Sequence, residues 1–182
     1  TASVNYRDRY DLFGSIRLDQ TNLLTNASEF RNNPSWSVGV KWNMAHEDFF
    51  KCDRVDDLGI RLAYGLTGNI DKTTGPDIVG RAEIDTYGTM LNYLDITNPA
   101  NPDLGWERTY SWNLGVNAVF FGNRLSIDAD FYNKKSKKLL ATVENDPTTG
   151  WSSVYKNSAE VNNRGIDLTL YGQFLKTASV KW

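Results

Sequence analysis

Asn101–Phe121 reads NPDLGWERTYSWNLGVNAVFF, and its side chains alternate in character for longer than most soluble strands last. From Trp106 the even positions are Trp106, Arg108, Tyr110, Trp112, Leu114, Val116, Ala118 and Phe120. Between them sit Glu107, Thr109, Ser111, Asn113, Gly115 and Asn117. A period of two places alternate residues on opposite faces of a β-strand, so this stretch predicts one strand with a long apolar face. The opposite face is made mostly of small neutral groups rather than the Lys, Glu and Thr that strands usually show to water. Such a face suits a lumen filled with protein or water, leaving the apolar face to meet lipid.

The same alternation recurs on both sides of this stretch. Tyr10, Leu12, Gly14, Ile16 and Leu18 form one such series, and Trp36, Val38, Val40, Trp42 and Met44 a second. Leu58, Ile60, Leu62, Tyr64 and Leu66 form a third, and two more follow with Leu125, Ile127, Ala129 and Phe131, then Ile166, Leu168, Leu170 and Phe174. The connections alternate in length. Phe121-Gly122-Asn123 and Leu175-Lys176-Thr177 read as tight turns, whereas Gln20 to Pro34, Gly68 to Gly105 and about Lys137 to Lys156 read as long polar loops. Met44 to Asp57 is of middle length, and its HEDFFK run is expected to form a short helix. If the strands run up and down, the long loops gather at one end, which is the asymmetry of outer-membrane barrels. Loops beyond about 12–15 residues are uncommon within compact soluble domains.

Composition narrows the choices. The 182 residues are 40% hydrophobic and 13% aromatic, too apolar for a disordered chain. No run of about 18 apolar residues exists to form a membrane-spanning helix, and the mean hydropathy of -0.49 is compatible with a barrel, whose two faces average out. No secretory signal segment is visible at the N-terminus. A net charge of -2 argues against nucleic acid as a partner. Cys52, the single cysteine, and His46, the single histidine, supply neither a disulfide nor a metal site. With scattered carboxylates they make no catalytic set, so the chain is not expected to be an enzyme and no cofactor is implied. The Asn26-Ala27-Ser28 sequon has meaning only in a glycosylating pathway, to which nothing else points. On the residues alone, a transmembrane barrel is the expected fold and a β-sandwich core the alternative.

Four motifs carry a resemblance to a known family. YGLTGN at Tyr64–Asn69, NPDLGWERTYSWNLGV at Asn101–Val116, NRLSIDADFYNKKSKKLL at Asn123–Leu140 and NRGIDLTL at Asn163–Leu170 stand in the order and spacing of the barrel region of SusC/RagA-type TonB-linked outer-membrane proteins of Bacteroidota. The resemblance implies an all-β fold in which antiparallel up-and-down strands form part of a 22-stranded transmembrane β-barrel. Residues 1–182 would supply six full strands and two partial ones, at Thr1–Val4 and Ala178–Trp182, with Trp182 a cut end and neither plug domain nor TonB box within the chain. It further implies TonB-energised import of an oligosaccharide or peptide across the cell outer membrane, with a SusD-like lipoprotein as lid.

Within that picture the loop aromatics Tyr87, Tyr93, Trp151 and Tyr155 are candidates to touch substrate or lid, against the plainer reading that they pack loops together. Trp36, Trp42, Trp106 and Trp112 are candidate membrane-interface aromatics. Asp71, Asp77, Glu83 and Asp85 suggest a cation-binding loop, but their spacing does not match that of a calcium loop, so no metal is expected there. The basic run Lys134, Lys135, Lys137 and Lys138 is placed where it would meet lipopolysaccharide phosphates or form a solvated loop stem. The competing function from another class is a soluble all-β carbohydrate-binding module, distinguished by whether the protein needs detergent.

Overall fold

The computed structural model describes residues 1–22, 24, 32–52 and 54–173. Its strands are β1 (Ala2–Tyr6), β2 (Tyr10–Gln20), β3 (Asn32–Asn43), β4 (Val55–Asn69), β5 (Val79–Ile84), β6 (Asn92–Asn98), β7 (Glu107–Phe120), β8 (Leu125–Glu144) and β9 (Ser153–Gly172). Seven of them form one antiparallel sheet in the order β1-β2-β3-β4-β7-β8-β9, while β5 and β6 pair only with each other. Each main-sheet strand therefore lies beside its sequence neighbour once the β5–β6 hairpin is set aside, which is the up-and-down arrangement.

Register runs straight across the sheet and sorts the side chains. One outward row joins Val4, Leu12, Val40, Leu62, Leu114, Phe131 and Ile166. The adjacent row on the opposite face joins Asp11, Lys41, Arg61, Gly115, Asp130 and Asp167. The small residues that the alternation places on this second face let aromatic rings lie flat: a side chain at Gly39 would run into the Phe13 ring, and one at Gly165 into Tyr132. Such ring-over-glycine pairs restore packing that glycine lacks in a strand.

No second layer covers the apolar face. Among the described residues only Leu24, Leu66, Leu104 and Ala118 are buried hydrophobics, while Ile16 is 84% exposed and Leu168 62%. The accessible surface is 13231 Å². A compact monomer of 20.6 kDa would show roughly 8,900 Å². The excess excludes a β-sandwich built from this sheet alone, in which the apolar residues would be interior.

The apolar band crosses the sheet obliquely. On the long-loop side its last apolar outward residue is Leu18 on β2, Trp36 on β3, Leu66 on β4, Tyr110 on β7 and Phe131 on β8, each traced through the pairing. The boundary thus falls by about three rows from β2 to β8. Strands that tilt against a flat slab require this slant, as in closed barrels.

The tight connections lie at the other end. Arg7 and Asp8 both have positive φ, of 54° and 55°, and Arg9 N–H donates to Tyr6 C=O at 3.1 Å. These angles give the hairpin twist that matches flanking strands. Phe121, Gly122 and Asn123 all have positive φ as well, closing β7 onto β8 as the sequence predicts.

Several expectations are revised. HEDFFK does not form a helix of its own; a single 3-10 turn at Met44–His46 takes in only its first residue, and β3 ends at Asn43. The segment from Lys137 to Lys156 is mostly strand, because β8 and β9 continue their pairing to Glu144 and Ser153 with an eight-residue connection between them. The apolar alternation stops at Phe131, but backbone hydrogen bonding does not need it once the strands leave lipid for water. At 20 residues each, and about 3.3 Å per residue, these strands reach roughly 65 Å, far beyond a bilayer core of about 30 Å. The Gly68–Gly105 loop contains the β5–β6 hairpin. Thr1–Val4 does contribute to a strand, as β1. Phe174, the turn at Leu175–Thr177, the strand fragment Ala178–Trp182 and the Asn26 sequon lie outside the described residues.

Candidate functional site

The long-loop end of the sheet carries a cleft of about 540 Å³. Its walls are the end of β6 with Thr97–Asn101, the β8–β9 connection from Asn145 to Ser152, and the start of β9 through Lys156. Trp151 and Tyr155 both line it; Tyr87 and Tyr93 do not. Tyr87 stands fully exposed in the β5–β6 turn, and Tyr93 on β6 donates its hydroxyl to Glu83 at 3.3 Å. The structure therefore brings together two of the four loop aromatics.

Local hydrogen bonds build the cleft. Asp146 accepts from the Thr148 N–H at 2.9 Å, and Gly150 takes a left-handed φ of 85° to end the short 3-10 turn Pro147–Thr149. The Thr148 amide holds the Asp146 carboxyl below its ordinary range. Asn145 donates to the Thr149 hydroxyl at 2.7 Å. Across the cleft, Asn101 donates to the Tyr155 carbonyl at 2.7 Å. The walls thus offer two aromatic rings surrounded by amides and hydroxyls, which is chemistry suited to stacking on and hydrogen bonding with a polar, uncharged ligand.

Below the cleft, a clamp ties the loop stem to the β8–β9 hairpin. Asn157 bonds both the N–H and C=O of Gly105, and also donates to the Lys138 carbonyl at 2.8 Å. Lys138 has a positive φ of 55° where the β8–β9 register shifts. Glu107 accepts from the Leu140 N–H at 3.0 Å through one oxygen and from Asn69 at 2.8 Å through the other. The backbone groups that the bulge frees from the ladder are therefore satisfied by side chains from β9 and β7. Leu104, 2% exposed, is buried beside the clamp.

On the opposite face from the apolar band, Arg61 and Asp130 pair at 2.7 Å in a shallow polar depression of about 510 Å³ that also includes Asn113, Lys134 and Asp167. Lys134 lies with its ammonium 5.5 Å from the Tyr132 ring centroid.

The outward tryptophans divide. Trp36 meets Tyr64 edge-on with centroids 5.6 Å apart, and Trp112 is cross-strand partner of Tyr64. Trp42 stacks parallel to Tyr10 at 6.5 Å and donates its indole N–H to Glu47 at 3.0 Å, at the short-turn end. Trp106 lies just before β7, which begins at Glu107, and its indole nitrogen is buried without a hydrogen-bond partner.

Among the described residues no three potential metal ligands come together, the loop acids included. Asp85 instead caps its own turn, accepting from Tyr87, Gly88 and Thr89 N–H groups, and the Thr89 amide and hydroxyl lead in holding its carboxyl low. Asp71 does the same with Thr73, whose hydroxyl is the larger cause.

Asn101, Asn145, Asn157 and Glu107 were not singled out by the sequence. The NPANP run at Asn98–Pro102 marks a turn-rich segment, but nothing in it indicates which distant backbone it holds.

Comparison with known proteins agrees with this geometry. The family model for the TonB dependent receptor-like β-barrel matches residues 1–182. TonB-dependent receptor P26 of Formosa agariphila is 27% identical over 97% of this chain and 18% of its own length. TonB-dependent receptor SusC of Bacteroides thetaiotaomicron is 28% identical over 98% of this chain and 19% of its own length. The RagAB peptide importer in its closed-closed state superposes with a TM-score of 0.83 at 27% identity, covering 97% of this chain and 19% of the compared one. In its open-open state the TM-score is 0.84 at 26% identity, over 97% and 19% of the two chains. The chain thus spans about a fifth of the length of these relatives and corresponds to a section of barrel wall. Its strand order, its bare apolar band and its match along the full sequence place the chain in the TonB-dependent receptor β-barrel family of outer-membrane proteins, on the SusC/RagA-type side.

Proposed function

We propose that the chain forms part of the wall of a 22-stranded outer-membrane importer that takes up an oligosaccharide or peptide using energy delivered through TonB. The observation that carries this reading is the continuous outward face from Val4 to Ile166, apolar across seven strands, with Trp36, Tyr64 and Trp112 clustered toward its long-loop boundary and no protein layer over it. That face needs lipid. The soluble carbohydrate-binding module lacks this support, because its apolar residues would need a core that the sheet does not have.

The long-loop cleft is the substrate-facing or lid-facing feature of this section. Trp151 and Tyr155 offer rings for a sugar face or a peptide side chain, and Asn101 and Asn145 add polar groups to the walls. A SusD-like lipoprotein over the same end is the expected partner, a reading supported by the likeness to SusC and RagAB. Nothing in the site calls for covalent chemistry: the ring and amide chemistry of the cleft binds without reacting.

Uptake by cells carrying the full-length receptor gene tests this. Fractionation is expected to recover the protein in the outer membrane, and Trp151→Ala with Tyr155→Ala is expected to slow uptake of a labelled oligosaccharide or peptide pool several-fold at unchanged receptor abundance. A full-length protein that stays in solution without detergent would overturn the barrel and favour the module.

A further inference from the structure

The basic run on β8 is split by the sheet. Lys134 faces the polar depression, whereas Lys135 and Lys137 lie on the outward face. Pairing then adds two cations that sequence distance conceals. Arg108 on β7 is directly opposite Lys137, and Arg164 on β9 is opposite Asn133, one outward row from Lys135. Arg108, Lys135, Lys137 and Arg164 therefore share one patch on three adjacent strands. Beside and below it the outward residues turn apolar, at Tyr110 and Trp112 on β7 and then in the row of Leu114, Phe131 and Ile166.

The patch keeps a net positive charge. Glu160 approaches Lys135 at 3.2 Å and Lys137 at 3.7 Å, all three side chains being about half exposed. Among the described residues, no carboxylate pairs with Arg108 or Arg164. At the short-turn end, Arg9 is matched by Glu47 at 3.1 Å and Asp48 at 2.9 Å. On β7 to β9, cations surplus to local carboxylates therefore edge the apolar band on its long-loop side, which in the proposed barrel is the outer surface.

The outer leaflet of an outer membrane presents lipid A, whose phosphates lie just above its acyl chains. We propose that Arg108, Lys135, Lys137 and Arg164 form a seat for lipid A phosphates, with the acyl chains lying along Phe131 and Ile166. Guanidinium groups bind phosphate in a fork, lysines as point charges, and the adjacent apolar rows supply the second half of an amphipathic site. The inference rests on the barrel reading and deepens it by naming a lipid partner for one stretch of the wall.

The test uses the full-length receptor purified in detergent, with two probes, lipid A and the same lipid A after removal of its phosphates. Bound lipid is counted by native mass spectrometry. The parent is expected to retain phosphorylated lipid A at least tenfold over the dephosphorylated form. The combined variant Arg108→Gln, Lys135→Gln, Lys137→Gln and Arg164→Gln is expected to lose that preference, while Lys134→Gln on the other face keeps it. Heat-modifiable mobility reports folding; if the fourfold variant fails to fold, Arg108→Gln with Arg164→Gln is read instead, with at least a threefold loss expected. Retention of the full preference by the folded variant overturns the proposal, as does a parent without preference. Fractionation of the parent separates the two levels: absence from the outer membrane overturns the barrel reading, whereas correct location without phosphate preference overturns only the lipid seat.

Discussion

Asn157 grips Gly105 from both sides, accepting from its N–H at 2.9 Å and donating to its carbonyl at 3.0 Å. The same amide nitrogen also reaches the Lys138 carbonyl, so one side chain joins the stem of the longest loop to the β8 bulge. Asn157→Ala removes all of these bonds and is expected to loosen the rim locally by about 1–3 kcal/mol. Hydrogen exchange in the full-length receptor should rise over residues 99–106 and leave β3 and β4 unchanged. Asn157→Asp keeps the acceptor for Gly105 N–H but turns lone pairs toward two carbonyls, and should loosen the same residues at least as much.

Depth in the band should decide the cost of a charge. Leu62 lies in the row between Val40 and Leu114, at mid-band, whereas Leu18 stands at the long-loop boundary. Leu62→Arg is expected to destabilise the folded barrel by about 2–4 kcal/mol, and Leu18→Arg by about 0–1 kcal/mol. Denaturant titration of the receptor in lipid vesicles measures both. Equal costs would mean that the band has been placed wrongly.

The Phe13 ring occupies the space where a side chain on Gly39 would stand. Gly39→Val is expected to displace the ring and cost about 1–3 kcal/mol through overpacking. Phe13→Ala added to it should relieve part of that cost, so the double variant should be more stable than the sum of the singles predicts.

Acid should weaken the short-turn end through Glu47. Its carboxylate accepts from the Tyr10 hydroxyl at 2.6 Å, the Trp42 indole at 3.0 Å and Arg9 at 3.1 Å. The Tyr10 hydrogen bond leads in holding its pKa below the ordinary 4.5. A lowered folded pKa means that the contribution to stability is complete above the unfolded value near 4.5 and is lost as pH falls through the lower folded value. Below pH 4.5, the turn at Met44–Phe50 should become more open to protease in the parent. In Glu47→Gln this added sensitivity to acid should be reduced, because the group that titrates is gone.

The sequence by itself determined that this chain makes two-faced strands. Leu114, Val116 and Ala118 alternating with Asn113, Gly115 and Asn117 require a strand with different surroundings on each side, and Gly122 with Asn123 marks the turn that follows. Those are local properties, set by side-chain period and backbone preference. The reach of β8 and β9 beyond the apolar band was not legible, since the strict alternation of apolar and polar residues stops after Phe131, and beyond it the strands are held by backbone pairing and by side chains from distant positions such as Asn157 and Glu107. Nor was the rim. Asn157 meets Gly105 across 52 positions, and Arg108 joins Lys137 only through the β7–β8 register. Tertiary structure decided these because register depends on which strands become neighbours. Only once the strands were aligned did scattered asparagines become a clamp and separated cations a single patch at the edge of the apolar band.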